Sequence, residues 1–257
     1  MIVTWLEASS SRLVATGSTL TAQAVAVLPL GSIEDHGPHL PVGTDTILAE
    51  RLLDCAEPAL AGTAVTVLRL PALWLGASLE HAERAGTVSI EAETFVANIC
   101  AVAAAVAGCG VRRLLTLSAH GGNTAALSVA ALKARQGLGL LVAHPHWLDF
   151  GMPETLKPPT PVREDVHGGW LETALMLHLT PHLVAPDLAA ANPPRRMGSS
   201  LYPYGPVPWA WRSEDLAHGG WSGRPDLATA EIGRRLSEHI VSGIVQLVRD
   251  LAAAPWP

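Results

Sequence analysis

A chain of 257 residues with 23 acidic and 17 basic side chains, formal net charge −6, has no positive excess with which to hold a nucleic-acid backbone. With 49% hydrophobic and only 16% charged residues it is no disordered chain, and its length predicts a single domain over residues 1–257. The longest apolar run, residues 95–107, is shorter than the ~20 residues that span a bilayer and contains Asn98; it reads as a buried helix, and no membrane partner is expected.

The first residues show neither a basic leader nor a continuous apolar segment, so a cytoplasmic protein is expected. Residues 24–30, a β-branched run ending at Gly31, predict a central strand followed by a loop. Thr44 and Asp45 open a helix reaching about Ala56, and residues 64–70 predict the next strand. Residues 91–107 predict a helix closed by Gly108. A strand over 112–118 then runs into His120-Gly-Gly-Asn123. A helix over 124–136, bounded by Gly137, precedes a strand over 138–143 that leads into His144-Pro-His-Trp147. Residues 193–208, dense in Pro, Gly, Ser and Tyr, predict an irregular segment at the site mouth or a subunit contact, and 228–251 a closing amphipathic helix. Cys55, Cys100 and Cys109 stand in apolar runs without metal-binding spacing and read as small buried hydrophobes.

Strands alternating with helices predict an α/β fold, a mostly parallel sheet flanked by helices on both faces. Ligands of such sheets bind beyond the carboxyl ends of the strands, where the polar turns at Gly31 and His120 fall. The loop from Gly31 to Asp45 packs Glu34, Asp35, His36, His39 and Asp45 into fifteen residues. Carboxylates and imidazoles suit Zn, Mn or Fe ions, and Glu34 and His36, two residues apart in extended chain, point the same way. By itself the loop also fits a solvated segment whose acids cap the next helix. His120 adds an imidazole at a second strand end. Further on, Glu172 fits either a metal site or a first helical turn, where an acid favours the helix dipole; His167 is a candidate acid or base.

The stretches 29–45 (PLGSIEDHGPHLPVGTD), 118–123 (SAHGGN), 167–173 (HGGWLET) and 223–231 (GRPDLATAE) resemble, in order and spacing, the motifs of the creatininase family. The resemblance runs from about Val25 to the last helix, and Ser78 to His81 with Gly86 to Ser89 resembles a further family element at the pocket. It implies a single creatininase-like metallohydrolase domain binding two divalent metal ions. Asp45 bridges them, Glu34 and His120 hold one, and His36 holds the other. Creatininases are expected to supply a remaining acid two residues after the position of His120, which here is Gly122; members with the HGGN form implicate Glu172 instead. His167, with Glu172, is the expected catalytic pair, and His81 and Asn123 are expected beside the substrate. Arg163 stands where creatininases carry a Trp and suits a substrate carboxylate, or is simply solvated.

The resemblance is closer to HGGN-type members, mycofactocin-precursor peptidase-like and formamide hydrolase-like, than to true creatininase. The expected function is a metal-dependent amidohydrolase. It cleaves a C–N amide bond of the small cyclic amide or formamide type, not a peptide bond, through a hydroxide bridging the two metals. The alternatives are a peptidase acting on a small modified precursor peptide and a non-catalytic metal-binding assembly protein. A mean hydropathy of +0.27 agrees with the homo-oligomer, a hexamer, that the resemblance implies. No G-x-S-x-G elbow and no cysteine in a polar setting point to a serine or cysteine hydrolase.

Overall fold

Among the described residues five strands pair in parallel throughout: β1 (Ile2–Thr4), β2 (Ala24–Leu30), β3 (Thr66–Arg69), β4 (Arg113–Ser118) and β5 (Leu141–Ala143). Their spatial order is β1-β3-β2-β4-β5. The computed structural model describes residues 1–19, 24–195, 201–203 and 207–255. The helices are α1 (Ser10–Thr19), α2 (Thr44–Ala61), α3 (Ala92–Gly108), α4 (Asn123–Leu138), α5 (Trp170–Leu179), α6 (Ser213–Leu216) and α7 (Ala230–Ala253).

The helices cover both faces of the sheet, as the alternating pattern predicts. Side chains alternate across a strand, so β2, buried along its whole length, feeds two cores. Ala24, Ala26, Leu28 and Leu30 pack with Phe95, Ile99 and Val106 of α3 and Ala130 of α4. Val25 and Val27 pack with Leu52 of α2, Leu175 of α5 and Ile240 of α7. Pro29 sits in this central strand without breaking the ladder, because β3 has already ended at Arg69. The Pro29 carbonyl still accepts the Leu73 N–H at 3.0 Å, and the regular β2–β3 register runs only to Val27 opposite Arg69.

Several boundaries shift. β1 and α1 are too short or too mixed in polarity for periodicity to reveal. The α2 helix continues past Ala56 to Ala61 with Pro58 inside it. The α4 helix absorbs Gly137 and Leu138 and is stopped by Gly139, whose left-handed φ of 68° lets its N–H cap the Arg135 carbonyl. Thr229 caps α7 by accepting the Ile232 N–H.

Two sequence expectations are corrected. The apolar run 95–107 lies on α3 at the surface: Phe95, Ile99, Ala103 and Val106 face the sheet while Ala97, Ala101, Ala104 and Ala105 are exposed, because nothing among the described residues covers its outer side. Cys55 is exposed, and Cys100 and Cys109 are only half-buried. The helical period of α2 turns Leu52, Leu53 and Ala56 inward and leaves Cys55 outside. Of the irregular segment expected over 193–208, residues 196–200 and 204–206 lie outside the described residues. No helix among the described residues is long and apolar enough to cross a membrane.

Candidate metal centre

The register of the sheet builds the site. Leu30 at the end of β2 pairs with Ser118 at the end of β4, and the Ala119 N–H donates to the Leu30 carbonyl at 2.8 Å, so the loops that follow start side by side. The first loop carries Glu34 and His36 and returns through Asp45 in the first turn of α2. The second carries His120. A third segment, leading into α5, brings His167 and Glu172. Its close approach needs Gly168, with φ of +59°: a β-carbon there would lie 2.8 Å from the His36 carbonyl oxygen.

The five expected metal ligands meet in one place. Donor atoms of Glu34, Asp45 and His120 lie within 4.8 Å of one another, and so do those of His36, Asp45 and Glu172, with Asp45 common to both groups. His36 Nε2 is 3.1 Å from Asp45 Oδ1, and His120 Nδ1 is 3.2 Å from both Asp45 Oδ2 and Glu34 Oε2. His167 Nδ1 lies 3.6 Å from Glu34 Oε1. His167 also groups with Glu34 and His36.

Backbone carbonyls decide which imidazole nitrogens face the centre. A carbonyl only accepts, so the nitrogen beside it carries a proton. His36 Nδ1 donates to the Glu34 carbonyl at 3.0 Å, His120 Nε2 to the Ala77 carbonyl at 3.1 Å, and His167 Nε2 to the Asp35 carbonyl at 2.8 Å. The opposite nitrogens then present lone pairs toward carboxylate lone pairs, an arrangement that demands a proton or a cation between them. Asp45 Oδ2 also accepts the Ser32 hydroxyl at 2.5 Å. Glu172 has two roles: its Oε2 accepts the Gly168 N–H at 2.6 Å, bracing the start of α5, and it stands in the cluster.

Glu34 and Asp45 are each 1% exposed, and Glu34 Oε2 is faced by the His120 imidazole. Burial raises the carboxyl pKa of both, but the neighbouring imidazoles outweigh it and hold both well below the usual range. Burial disfavours the His36 cation, yet Asp45 overrides this and lifts His36 to about 10; His120 is raised in the same way by Glu34 and Asp45. Burial pushes Glu172 up to about 7 and lowers His167, with His81 and His36 adding to the second effect. Without metal, protons on His36 and His120 supply the positive charge the carboxylates require. No Lys or Arg among the described residues lines this space. The donor set fits divalent cations in two groups sharing Asp45.

A consequence is measurable. A metal held by His36 would need its neutral imidazole, and a pKa near 10 leaves that imidazole protonated at pH 7, so metal loading is expected to release protons. Apparent affinity then rises with pH up to that value and weakens as pH falls, by about tenfold per pH unit for each proton displaced. Titration calorimetry in two buffers of different ionisation enthalpy reads the release; identical heats in both would contradict it.

Around the centre lies a cavity of about 330 Å³, lined by Glu34, Asp45, Glu80, His81, His120, His167 and Glu172 and by the apolar Trp147, Leu148, Val166 and Leu171. His81 is 2% exposed, and its ring lies 4.1 Å from that of His167. Glu80 escaped sequence reasoning. Its carboxylate is 3.6 Å from His120 Nε2, and burial raises its pKa; its signal was an acid directly preceding the flagged His81. Asp165 was also missed. It accepts the N–H groups of Trp170 and Leu171 at 2.8 and 2.9 Å and so caps α5.

A family model named Creatininase and described as creatinine amidohydrolase matches residues 10–248. The chain is 32% identical over 249 residues to a mycofactocin precursor peptide peptidase of Mycobacterium tuberculosis, covering 94% of this chain and 88% of the relative. It is 27% identical to a creatinine amidohydrolase of Pseudomonas putida, covering 88% of this chain and 89% of that one.

The chain belongs to the creatininase family.

A solved structure named creatininase Mn has the same fold, with a TM-score of 0.79 at 23% identity over 99% of this chain and 100% of the other. With a peptidase among these creatininase-family relatives, the expected restriction to non-peptide bonds has no support.

Within the family one sequence expectation changes, at Asn123, and the structure decides between the two readings of Arg163. Asn123 does not line the cavity. It is buried, its Nδ2 donates to the Gly31 carbonyl at 3.1 Å, and its Oδ1 accepts the Ala77 N–H at 3.0 Å, so both polar groups serve the backbone. Replacing Asn123 by Ala is expected to destabilise by about 1–3 kcal/mol, because two buried backbone groups lose their partners; denaturant unfolding measures it, and KM should not move.

Arg163 is exposed, outside the cavity lining, with its guanidinium 5.4 Å from the centroid of the Tyr202 ring. At Gly122 an acid has no room. A β-carbon there would collide with Glu80 Oε1 and His120 Nε2 and lie 2.6 Å from the Ala77 carbonyl oxygen. Gly122→Ala is expected to cost about 1–3 kcal/mol through overpacking, seen as a lowered unfolding midpoint.

Proposed function

We propose that this chain is a metal-dependent hydrolase that cleaves an amide bond in a short peptide or peptide-derived substrate. Two divalent cations would be held by Glu34, Asp45 and His120 and by His36, Asp45 and Glu172. The observation that carries this is the double service of Asp45: Oδ1 faces His36 and Oδ2 faces His120, so one buried carboxylate belongs to both donor groups. Such cations, when bound, would lower the pKa of a water toward neutrality and would polarise a carbonyl.

The protein's own residues do the rest. The Glu34 and Ala77 carbonyls hold His36 and His120 with the correct nitrogens toward the centre. Ser32 steadies Asp45 through Oδ2. The Trp147, Leu148, Val166 and Leu171 wall excludes solvent from the substrate. With Nε2–H tied to Asp35, His167 keeps Nδ1 free to take a proton and return it to the departing amine nitrogen.

The peptide reading is supported by the higher identity to the precursor peptide peptidase, 32%, than to the creatinine amidohydrolase, 27%. The crowded backbone at Gly122 and Arg163 in place of a ring-enclosing Trp speak against creatinine. The test is a panel of short peptides, formamides, lactams and creatinine, incubated with protein loaded separately with Zn, Mn and Fe. Turnover of peptides alone is expected; turnover of creatinine alone would overturn the peptide reading, and none on any substrate the hydrolase reading. Self-association is a further part of the proposal, since Trp74, Leu79, Val129 and Leu132 are large apolar side chains left exposed. Light scattering behind size exclusion measures it.

A further inference from the structure

Asp35 stands between two of the proposed ligands, and every one of its polar groups is engaged. Its N–H donates to Thr87 Oγ1 at 3.2 Å, Oδ1 accepts the Gly37 N–H at 2.9 Å, Oδ2 accepts Arg84 Nε at 2.7 Å, and its carbonyl accepts His167 Nε2 at 2.8 Å. The same guanidinium reaches a second carboxylate: Arg84 Nη1 donates to Glu214 Oε1, on α6, at 2.7 Å. Arg84 therefore ties the loop after β2 to the segment 209–223. That segment lies against the site. Trp211 meets the His81 ring edge-on at 6.0 Å, and Ser222 exchanges backbone hydrogen bonds with His167. The packing is close enough that a β-carbon at Gly220, with φ of +92°, would collide with Asp35 Oδ2 and lie 2.9 Å from Arg84 Nη2.

We propose that Arg84 is a positioning residue: by clamping Asp35 to Glu214 it fixes the Asp35 carbonyl, and that carbonyl fixes which nitrogen of His167 bears the proton. This rests on the role given to His167 above. A neutral imidazole has two tautomers of similar energy, and the acceptor beside it chooses between them. With the Asp35 peptide held, Nε2 is the protonated nitrogen and Nδ1 keeps its lone pair toward the centre. If that peptide is free to turn, the choice is lost and a fraction of molecules offers a proton where a base is needed. A planar guanidinium serves two carboxylates at once, which a lysine ammonium does less well. The side chains of Arg84 and Asp35 are 27% and 17% exposed, so solvent screens the pair only in part.

The experiment uses zinc-loaded protein labelled with [15N]histidine, the His167 signal being identified by its absence from His167→Asn. In the wild type it is expected to report protonation at Nε2. In Arg84→Met it should move toward the other tautomer. Turnover kcat should fall by about 10- to 100-fold with zinc content unchanged and KM within about threefold. Arg84→Gln, which keeps one hydrogen-bond donor, and Glu214→Gln, which weakens only the far side of the clamp, are expected to show smaller shifts in the same direction and cover the case in which Arg84→Met does not fold. An unchanged His167 signal in a folded Arg84 variant overturns the proposal, as does a raised KM with unchanged kcat, which would make the clamp merely a cover for substrate. The tautomer signal reports on the clamp whether or not His167 takes part in chemistry. A His167→Asn variant with undiminished kcat therefore defeats the reading of the site and leaves the clamp to be judged by its own signal.

Discussion

Asp45→Asn is expected to lose at least one of two bound metal equivalents and to lower kcat by about 10³-fold or more, the largest effect of any single substitution in this chain. Asparagine matches aspartate in shape but offers one acceptor oxygen and no charge. It cannot face His36 with one oxygen and His120 with the other, as Asp45 does at 3.1 and 3.2 Å. It also removes the carboxylate that holds His36 near a pKa of 10, so the metal-free protein loses that attraction too. Elemental analysis beside steady-state kinetics decides the matter: two equivalents of metal with near-normal turnover in this variant would refute the shared-carboxylate centre.

The second large effect is expected at His167. A Gln there places its amide nitrogen where Nε2 lies and can still donate to the Asp35 carbonyl, so the loop geometry is kept while the titratable nitrogen is removed. If His167 moves a proton, kcat falls by about 10²- to 10⁴-fold with metal content intact. His167 also groups with Glu34 and His36, so the same variant discriminates a ligand from an acid or base. Loss of metal in step with loss of rate would assign it to the cation; full activity would remove it from the site.

Much of this centre was legible before any coordinates. Glu34, His36 and Asp45 fall within twelve residues after an apolar strand, and His120 follows another, so the pattern of hydrophobic run and polar glycine-rich turn marked two strand ends. Glu172 was legible as two things at once, and the structure keeps both: a brace on Gly168 and a neighbour of His36 and Asp45. Asn123 misled because an amide in a polar turn looks free to meet a ligand; here backbone groups 46 and 92 residues away consume it. Arg163 was legible as a carboxylate binder or a solvated side chain, and only the structure, which leaves it exposed outside the cavity lining, decides between them, since a residue's place in a loop says nothing of which side of the loop it occupies. The run 95–107 misled because apolar composition reports a preference for burial, whereas the layers stacked outside a helix decide how much of it is covered.

The sequence by itself determined the donor types, the strand ends they follow and the parallel, doubly covered sheet, because each of these is written in local pattern and composition. Only the tertiary structure decided that Leu30 lies beside Ser118, that Asp45 divides its two oxygens between His36 and His120, and that Glu80 fills the space beside Gly122. The physical reason is one of range. Residue type and periodicity act over a few positions, but which lone pairs converge depends on strand order and on backbone carbonyls contributed from across the sheet. The Asp35 carbonyl selects the nitrogen of a histidine 132 residues further along the chain.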